Sequence, residues 1–159
     1  MRAVVRGVHR PARVRVHEIM SAPPVTVSPT DTLAFAEELM NVERVRHLPV
    51  VDGDVLVGVL SHRDLLAASI STLSRPSEED DLEMKRRHDV ARVMRGTVET
   101  ITPEVSIEKA ADALLESQVG CLPVVDERHH LVGIVTSADF VRLARDVVAS
   151  SPPARGAKR

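Results

Sequence analysis

The strongest constraint on how this chain can fold is an internal duplication. The pentapeptide Leu-Pro-Val-Val-Asp occupies residues 48–52 and occurs again at residues 122–126. Three residues ahead of each copy also match, at equal distances from it: Met20, Thr26 and Pro29 in the first, and Met94, Thr100 and Pro103 in the second. A duplicated unit of this length predicts a pair of half-domains rather than a solenoid of short repeats. Two such halves are expected to pack about a pseudo-twofold axis, which creates clefts of the kind where ligands bind.

The length of the chain suits one compact domain made of both repeats. The chain has 159 residues, and a single repeat would bury too little surface to be stable alone, so we expect the halves to share a core. We divide the sequence into a basic N-terminal arm (1–15), a first repeat (16–70), a charged linker (71–89), a second repeat (90–149) and a tail expected to be disordered (150–159).

Composition argues against several classes of protein. The chain has two Phe, no Tyr and no Trp, whereas proteins that bind single-stranded nucleic acid stack bases on aromatic side chains. A net charge of −2 gives no general attraction to polyanions. The one cysteine, Cys121, cannot form an internal disulfide, and the apolar runs are too short to span a membrane. We therefore expect a soluble cytoplasmic protein with no membrane partner and no general affinity for nucleic acid.

Each repeat carries the same succession of predicted elements. In the first repeat these are a strand at 25–27, a helix at 32–43, hairpin strands at 48–51 and 55–60, and a helix after Ser61. In the second they are a strand at 100–101, a helix at 106–117, hairpin strands at 122–125 and 131–135, and a helix from about 137. The helices follow from apolar residues at helical spacing, and the first hairpin from its Asp-Gly turn. The order β-α-β-β-α, present twice, predicts an α/β (α+β) fold with helices layered on small sheets.

One short motif ends the second hairpin strand and opens a helix in each repeat, as Ser61-x-x-Asp64 and Thr136-x-x-Asp139. One interpretation is a capping box, in which the hydroxyl and the carboxylate satisfy the first turn of their own helix. The other is a ligand site, because a helix N-terminus attracts anions. The hydroxyl can donate to a phosphate oxygen, and the carboxylate can accept two hydrogen bonds from a ribose diol. The spacing leaves both interpretations open.

Two glycines, Gly58 and Gly133, lie inside predicted strands, where glycine is costly. They indicate either the close approach of a ligand or a partner strand, or the tight packing of a helix on the sheet. The sequence does not separate these explanations.

Metal binding and catalysis find little support in the sequence. His129 and His130 are adjacent and cannot face one ion from a strand, and no Cys/His spacing resembles a zinc site. No Ser-His-Asp order, P-loop or dinucleotide motif is present. We therefore expect no metal, no required cofactor and no enzymatic activity.

Taken in order, these pieces resemble a known family. Residues 16–146 look like a tandem pair of cystathionine-β-synthase (CBS) domains, also called a Bateman module. In the first repeat the resemblance is carried by Val16-His17-Glu18-Ile19-Met20, Arg-His-Leu-Pro-Val-Val-Asp and Gly-Val-Leu-Ser-His-Arg-Asp-Leu. In the second it is carried by Val119-Gly120-Cys121-Leu122-Pro123-Val124-Val125-Asp126 and Gly-Ile-Val-Thr-Ser-Ala-Asp-Phe. Among stand-alone members, the chain is similar to the acetoin-utilisation B-type bacterial proteins.

The resemblance implies a regulatory module that binds AMP, ADP, ATP or S-adenosylmethionine between its repeats and signals by a conformational change. It implies phosphate and ribose contacts from Ser61, Asp64, Thr136 and Asp139. It implies backbone contacts to the base from Val25-Thr26-Val27 and Glu99-Thr100-Ile101. Similarity to the regulatory subunits of AMP-activated kinase implies phosphate contacts from Arg46, His47 and His62. The second repeat has Gly120, Cys121 and Ser137 at those three positions, so the two clefts are expected to differ.

The family also suggests a homodimer that buries apolar helix surface, and an effector protein that the sequence does not identify. The apolar circumference of residues 137–148 agrees with dimerisation. Two other functions stay open. One is a structural dimerisation or interaction module without a bound nucleotide. The other is a weak nucleic-acid binder that uses the N-terminal arginines and the basic cluster at 85–88, although that cluster is also explained as part of a charged linker.

Overall fold

The computed structural model of the protein describes residues 14–70, 77–116 and 119–150. Most of the predicted N-terminal arm, the start of the linker (71–76) and nearly all of the predicted tail lie outside the described residues. The first repeat contains α1 (Leu33–Glu43), β1 (His47–Asp52), β2 (Val55–Ser61) and α2 (His62–Ile70), and α3 (Glu78–Arg87) follows it. The second repeat contains α4 (Ile107–Glu116), β3 (Cys121–Val125), β4 (Leu131–Thr136) and α5 (Ser137–Ser150).

Each repeat is built on a two-stranded antiparallel hairpin, β1 with β2 and β3 with β4. The first hairpin turns at Gly53, whose φ of 61° is a left-handed conformation that glycine adopts without steric cost. The strands predicted at 25–27 and 100–101 are each reduced to a single parallel bridge, from Val27 to Val50 and from Ile101 to Val124. A proline lies close to each bridge and cannot donate to a longer ladder. The α/β (α+β) class and the twofold repetition are confirmed, with a first strand only one bridge long.

The buried apolar residues form one large cluster in each repeat. The first cluster includes Leu33, Met40, Leu48, Leu60 and Leu65. The second includes Ala110, Leu114, Leu122, Val124 and Val135. A small third cluster of Val59, Cys121 and Ile134 lies between strands of the two halves. The chain therefore has two joined cores, where its length suggested one shared core.

Each core is completed by a valine from the opening of the other repeat. Val16 belongs to the first repeat by sequence but is fully buried in the second core, and Val90 is fully buried in the first core. Backbone hydrogen bonds hold both insertions. The Val16 N–H donates to the Val105 carbonyl at 2.9 Å, and the Val90 N–H donates to the Asp31 carbonyl at 2.8 Å. The two repeats are therefore interlocked.

The strand glycines lie where these openings cross the opposite hairpin. A β-carbon on Gly58 would come within 2.7 Å of the backbone oxygen of Arg95, and one on Gly133 within 2.5 Å of Met20 Sδ. Beside each glycine, reciprocal backbone hydrogen bonds pair Val59 with Arg95 and Ser21 with Ile134. The close approach is therefore made by a segment of the other repeat, which explains both glycines without a packed helix.

Helix α3 packs on α1 and α2 and covers the helical side of the first repeat. Its Lys85 is 5% exposed and donates to both carboxylate oxygens of Glu37, at 2.7 and 2.9 Å. The same Nζ atom lies 2.8 Å from Asp81 Oδ2. The basic cluster noted at 85–88 therefore contributes Lys85 to an internal ion network that fastens α3 to α1.

Candidate functional site

A cavity of about 660 Å³ lies between the two repeats, and its volume is within the usual range of small-molecule sites. The first repeat lines it with Arg46, His47, Ser61, His62, Arg63 and Asp64. The second repeat lines it with Arg95, Thr97, Glu99, Gly120 and Cys121, among others. All the first-repeat residues that the resemblance assigned to phosphate and ribose thus meet at this one cavity.

Ser61 and Asp64 form the capping box that one interpretation predicted. The Ser61 N–H donates to Asp64 Oδ2 at 3.0 Å, and the Asp64 N–H donates to Ser61 Oγ at 3.2 Å. The Ser61 hydroxyl also donates to Asp64 Oδ2. These bonds engage Oδ2 and fix the carboxylate at the cavity wall. Capping the helix and presenting the other oxygen to a ligand are therefore compatible.

The second oxygen of Asp64 meets a guanidinium from the other repeat. Arg95 Nε and Nη2 each lie 3.2 Å from Asp64 Oδ1. Burial alone would raise the pKa of Asp64, but the hydrogen bonds from Ser61 and the charge of Arg95 outweigh burial and hold this pKa below its ordinary value. Asp64 is therefore an ionised acceptor at neutral pH.

His47, the first residue of β1, contacts the opposite repeat. A β-carbon on Gly120 would overlap the imidazole ring of His47, so only a glycine there leaves room for the ring. Desolvation lowers the pKa of His47. Asp64 opposes that effect and the nearby arginines Arg46 and Arg63 add to it, which leaves the pKa below its ordinary value. His47 is therefore neutral at pH 7 and can offer an uncharged N–H.

The overall charge of the cavity wall is positive. Arg46, Arg63 and Arg95 line it, together with two acidic residues, Asp64 and Glu99. The N-terminus of α2 adds the positive end of a helix dipole. Such a wall suits an anionic group.

Cys121 takes the place in β3 that His47 has in β1. It is 7% exposed, and burial raises the pKa of its thiol to about 12. The thiol is therefore protonated and a weak nucleophile at neutral pH. It contributes apolar surface to the cavity.

The second motif forms a similar cap in different surroundings. The Thr136 N–H and hydroxyl donate to Asp139 Oδ2 at 2.7 and 2.8 Å. Asp139 is 4% exposed, and its Oδ1 lies 3.4 Å from Arg142 on the same helix. Neither Thr136 nor Asp139 lines the cavity between the repeats. The structure thus gathers the first motif with the predicted basic residues and leaves the second motif apart.

Most residues predicted to contact the base also lie outside the cavity lining. Val27 is buried in the first core, and Ile101 packs against the second. Val25, Thr26 and Thr100 are partly buried and do not line the cavity. Glu99 is the one residue of the two predicted segments that does.

Three further lining residues were not predicted from the sequence: Arg95, Thr97 and Val98. A signal for Arg95 was present, because the matching position of the first repeat holds Ser21. A charged residue at only one of two matching positions indicates that the repeats differ in function there. This difference between the copies was the signal for Arg95.

The described residues lack two features that other functions would need. Across residues 14–70, 77–116 and 119–150, no helix has the length and apolar character needed to cross a bilayer. In the same ranges, no three His, Cys, Asp or Glu side chains are grouped so that they could hold a metal ion.

Comparison with known sequences identifies one family. The model of the CBS domain matches residues 16–71 and 90–146. A CBS domain-containing protein of Dictyostelium discoideum is 34% identical over 142 residues, covering 89% of this chain and 98% of that protein. An inosine-5'-monophosphate dehydrogenase of Methanocaldococcus jannaschii is 31% identical over 142 residues, covering 88% of this chain. The chain spans only 26% of that dehydrogenase.

Solved structures with a similar fold include three proteins or protein domains. A candidate acetoin utilization protein (AcuB) from Vibrio cholerae shares 32% identity and a TM-score of 0.74, covering 89% of this chain and all of that one. CBSX2 in complex with AMP shares 31% identity and a TM-score of 0.71, covering 84% and 97%. The CBS domain pair of protein MJ0100, in complex with 5'-methylthioadenosine and S-adenosyl-L-methionine, shares 26% identity and a TM-score of 0.71, covering 86% and 99%.

Proposed function

Because this chain belongs to the CBS domain family, we propose that it is a non-catalytic regulatory module that binds an adenosine-containing ligand between its two repeats. The ligands we propose are AMP, ADP, ATP or S-adenosylmethionine, bound as regulatory ligands and not as required cofactors. Related CBS pairs form complexes with AMP and with S-adenosyl-L-methionine. The observation that carries the proposal is the convergence of Arg46, His47, Ser61, His62 and Asp64 on one cavity between the repeats.

The cavity offers a partner for each part of a nucleotide. Asp64 Oδ1 can accept hydrogen bonds from ribose hydroxyls, while its Oδ2 stays in the cap. The phosphate has the N-terminus of α2 and the donors Arg46 and His62 within the same lining. Val59, Val98 and Pro123 give apolar surface for the base.

The proposed signal is a change in the relative position of the repeats. The ligand would contact both repeats, and it shifts their arrangement only if it binds one arrangement better than the other. An effector protein would read the change. We place a homodimer in the same proposal, because Leu115, Val141 and Val148 on α4 and α5 are 77%, 69% and 74% exposed, and apolar patches of this kind favour association.

The proposal is tested by thermal unfolding with and without AMP, ADP, ATP and S-adenosylmethionine. A ligand at ~100 times its Kd adds ~2.7 kcal/mol of stability, which raises the Tm by several degrees. Asp64→Asn should lose most of the shift. Asp139→Asn is the matched control, because it removes the corresponding cap carboxylate from the second motif, outside the cavity.

Two results would count against the proposal. If none of the four ligands raises the Tm of the wild-type protein, and light scattering shows a dimer, the chain is better described as a structural dimerisation module. If a ligand raises the Tm of wild type and Asp64→Asn equally, the ligand binds elsewhere on the protein. Equal loss of the shift in Asp64→Asn and Asp139→Asn would indicate that the second motif also serves a ligand.

A further inference from the structure

The ion pair between Arg95 and Asp64 occupies the oxygen that the proposed ligand needs. Asp64 Oδ2 is engaged in the helix cap, which leaves Oδ1 as the acceptor available to a ribose. In the structure, Oδ1 receives Arg95 Nε and Nη2, each at 3.2 Å. A ribose hydroxyl that donates to Oδ1 must therefore take the place of the guanidinium.

Arg95 can leave Asp64 without disturbing the fold. Its side chain is 64% exposed, whereas that of Asp64 is 13% exposed. Its backbone is fixed by reciprocal hydrogen bonds with Val59, at 2.9 and 3.0 Å. Only the side chain would have to turn, and Arg95 already lines the same cavity. Arginine is the side chain best suited to phosphate oxygens, because its guanidinium can bind two of them at once.

We propose that Arg95 is the phosphate-recognition residue of this cavity and that it is held on Asp64 until a ribose releases it. The inference rests on the proposed function and adds the class of ligand. An anionic nucleotide replaces the Arg95–Asp64 pair with two pairs, ribose to Asp64 and phosphate to Arg95. A neutral nucleoside breaks the ion pair and offers no phosphate to pair with Arg95. S-adenosylmethionine brings a positive sulfonium to a wall that already holds three arginines, so it binds more weakly.

The second motif lacks this arrangement. The position that matches Arg95 is Ser21, which has no charge. Asp139 pairs with Arg142, which lies three residues further along the same helix. This ion pair therefore does not connect the two repeats. The exchange is therefore a property of the first motif alone.

The test is calorimetric titration of the full chain with AMP, adenosine and S-adenosylmethionine. The variants are wild type and Arg95→Gln, with Arg92→Gln and Arg142→Gln as controls on arginines outside the cavity lining. Arg95→Gln should lower the affinity for AMP tenfold or more, as expected for a lost charge-assisted hydrogen bond. The same variant should bind adenosine about two to five times more tightly, because Asp64 no longer has to be freed from an ion pair with the exposed Arg95 side chain. Wild type should prefer AMP to S-adenosylmethionine.

The opposite signs for AMP and adenosine separate recognition from structure. If Arg95 had only a structural role, Arg95→Gln would weaken the binding of both AMP and adenosine, and that result overturns the inference. So does an unchanged AMP affinity in Arg95→Gln, or a wild-type preference for S-adenosylmethionine. If wild type binds none of the three ligands, the proposed function itself fails and the inference falls with it. Arg95→Lys, which keeps the charge, should recover part of the AMP affinity, and urea midpoints of all variants check that they fold.

Discussion

Alanine at Gly58 and alanine at Gly133 are the same change at matched positions of the two repeats, yet the structure predicts unequal costs. At Gly58 the new β-carbon would lie 2.7 Å from the backbone oxygen of Arg95. That oxygen accepts a hydrogen bond from Val59, so it cannot withdraw without stretching the pairing between the repeats. At Gly133 the nearest atom is Met20 Sδ at 2.5 Å. A methionine side chain has three rotatable bonds and can move aside.

The magnitudes follow from what each neighbour can do. Overpacking that the surroundings cannot relieve costs about 1–3 kcal/mol, and we place Gly58→Ala at about 2–3 kcal/mol. Gly133→Ala should cost about 1 kcal/mol, the order of a strained rotamer. Both changes reduce the entropy of the unfolded chain by a similar amount, so that effect cancels in the comparison.

A pair of double-mutant cycles identifies the obstructing atom in each case. Met20→Ala removes the obstruction at Gly133, so the double variant Met20→Ala/Gly133→Ala should be more stable than the sum of its single changes by about 1 kcal/mol. At Gly58 the second-nearest atom is Met94 Sδ, at 3.0 Å from the new β-carbon. Met94→Ala leaves the Arg95 oxygen in place, so its combination with Gly58→Ala should be additive within about 0.5 kcal/mol.

Urea unfolding followed by far-UV circular dichroism measures all six variants, since the chain has no Trp or Tyr for fluorescence. All samples need the same protein concentration, because dimerisation would shift the midpoints. Equal costs for the two alanines would refute the reasoning. So would coupling to Met94 as strong as the coupling to Met20.

Two further predictions concern charged groups. His47 is neutral at pH 7 because burial lowers its pKa, and a bound phosphate favours its protonated form. The affinity for AMP should therefore rise as pH falls from 8 to 6. Calorimetric titration should show a smaller rise in His47→Gln. An equal dependence of affinity on pH in both proteins would exclude His47 from the phosphate site. Lys85→Met leaves Glu37 and Asp81 without their cation, and because both carboxylates are 27% exposed we expect a loss of about 2 kcal/mol, below the range for fully buried pairs. Adding Glu37→Gln should restore part of that stability in urea unfolding, and no recovery would mean that the network is not electrostatic.

Local sequence patterns predicted much of this fold because local forces decide those parts of it. The apolar spacing over 32–43 matches α1 at Leu33–Glu43, and the Asp-Gly signal matches the turn between β1 and β2. The grouping of Arg46, His47 and Asp64 at one cavity followed from the family resemblance and is seen in the structure. Whether these residues bind a nucleotide stays a prediction.

Other features depend on contacts between distant segments and left no local pattern. Val16 and Val90 look like the beginnings of their own repeats, but each lies in the opposite core. The Ser61 motif suggested a choice between capping and ligand binding, whereas in the structure Asp64 Oδ2 caps the helix and Oδ1 pairs with Arg95 of the other repeat. Spacing alone cannot assign separate partners to the two oxygens of one carboxylate.

The exchange of Val16 and Val90 has a consequence for any half of this protein produced alone. Such a fragment would carry an opening valine that has no core to pack in. Its own core would lack the valine that the other repeat supplies. Two identical fragments could complete each other by exchanging these opening segments, as in a domain-swapped dimer. Joining two copies in one polypeptide makes this exchange internal. Once joined, the partners need not stay identical, which leaves one side free to acquire an arginine where the other keeps a serine.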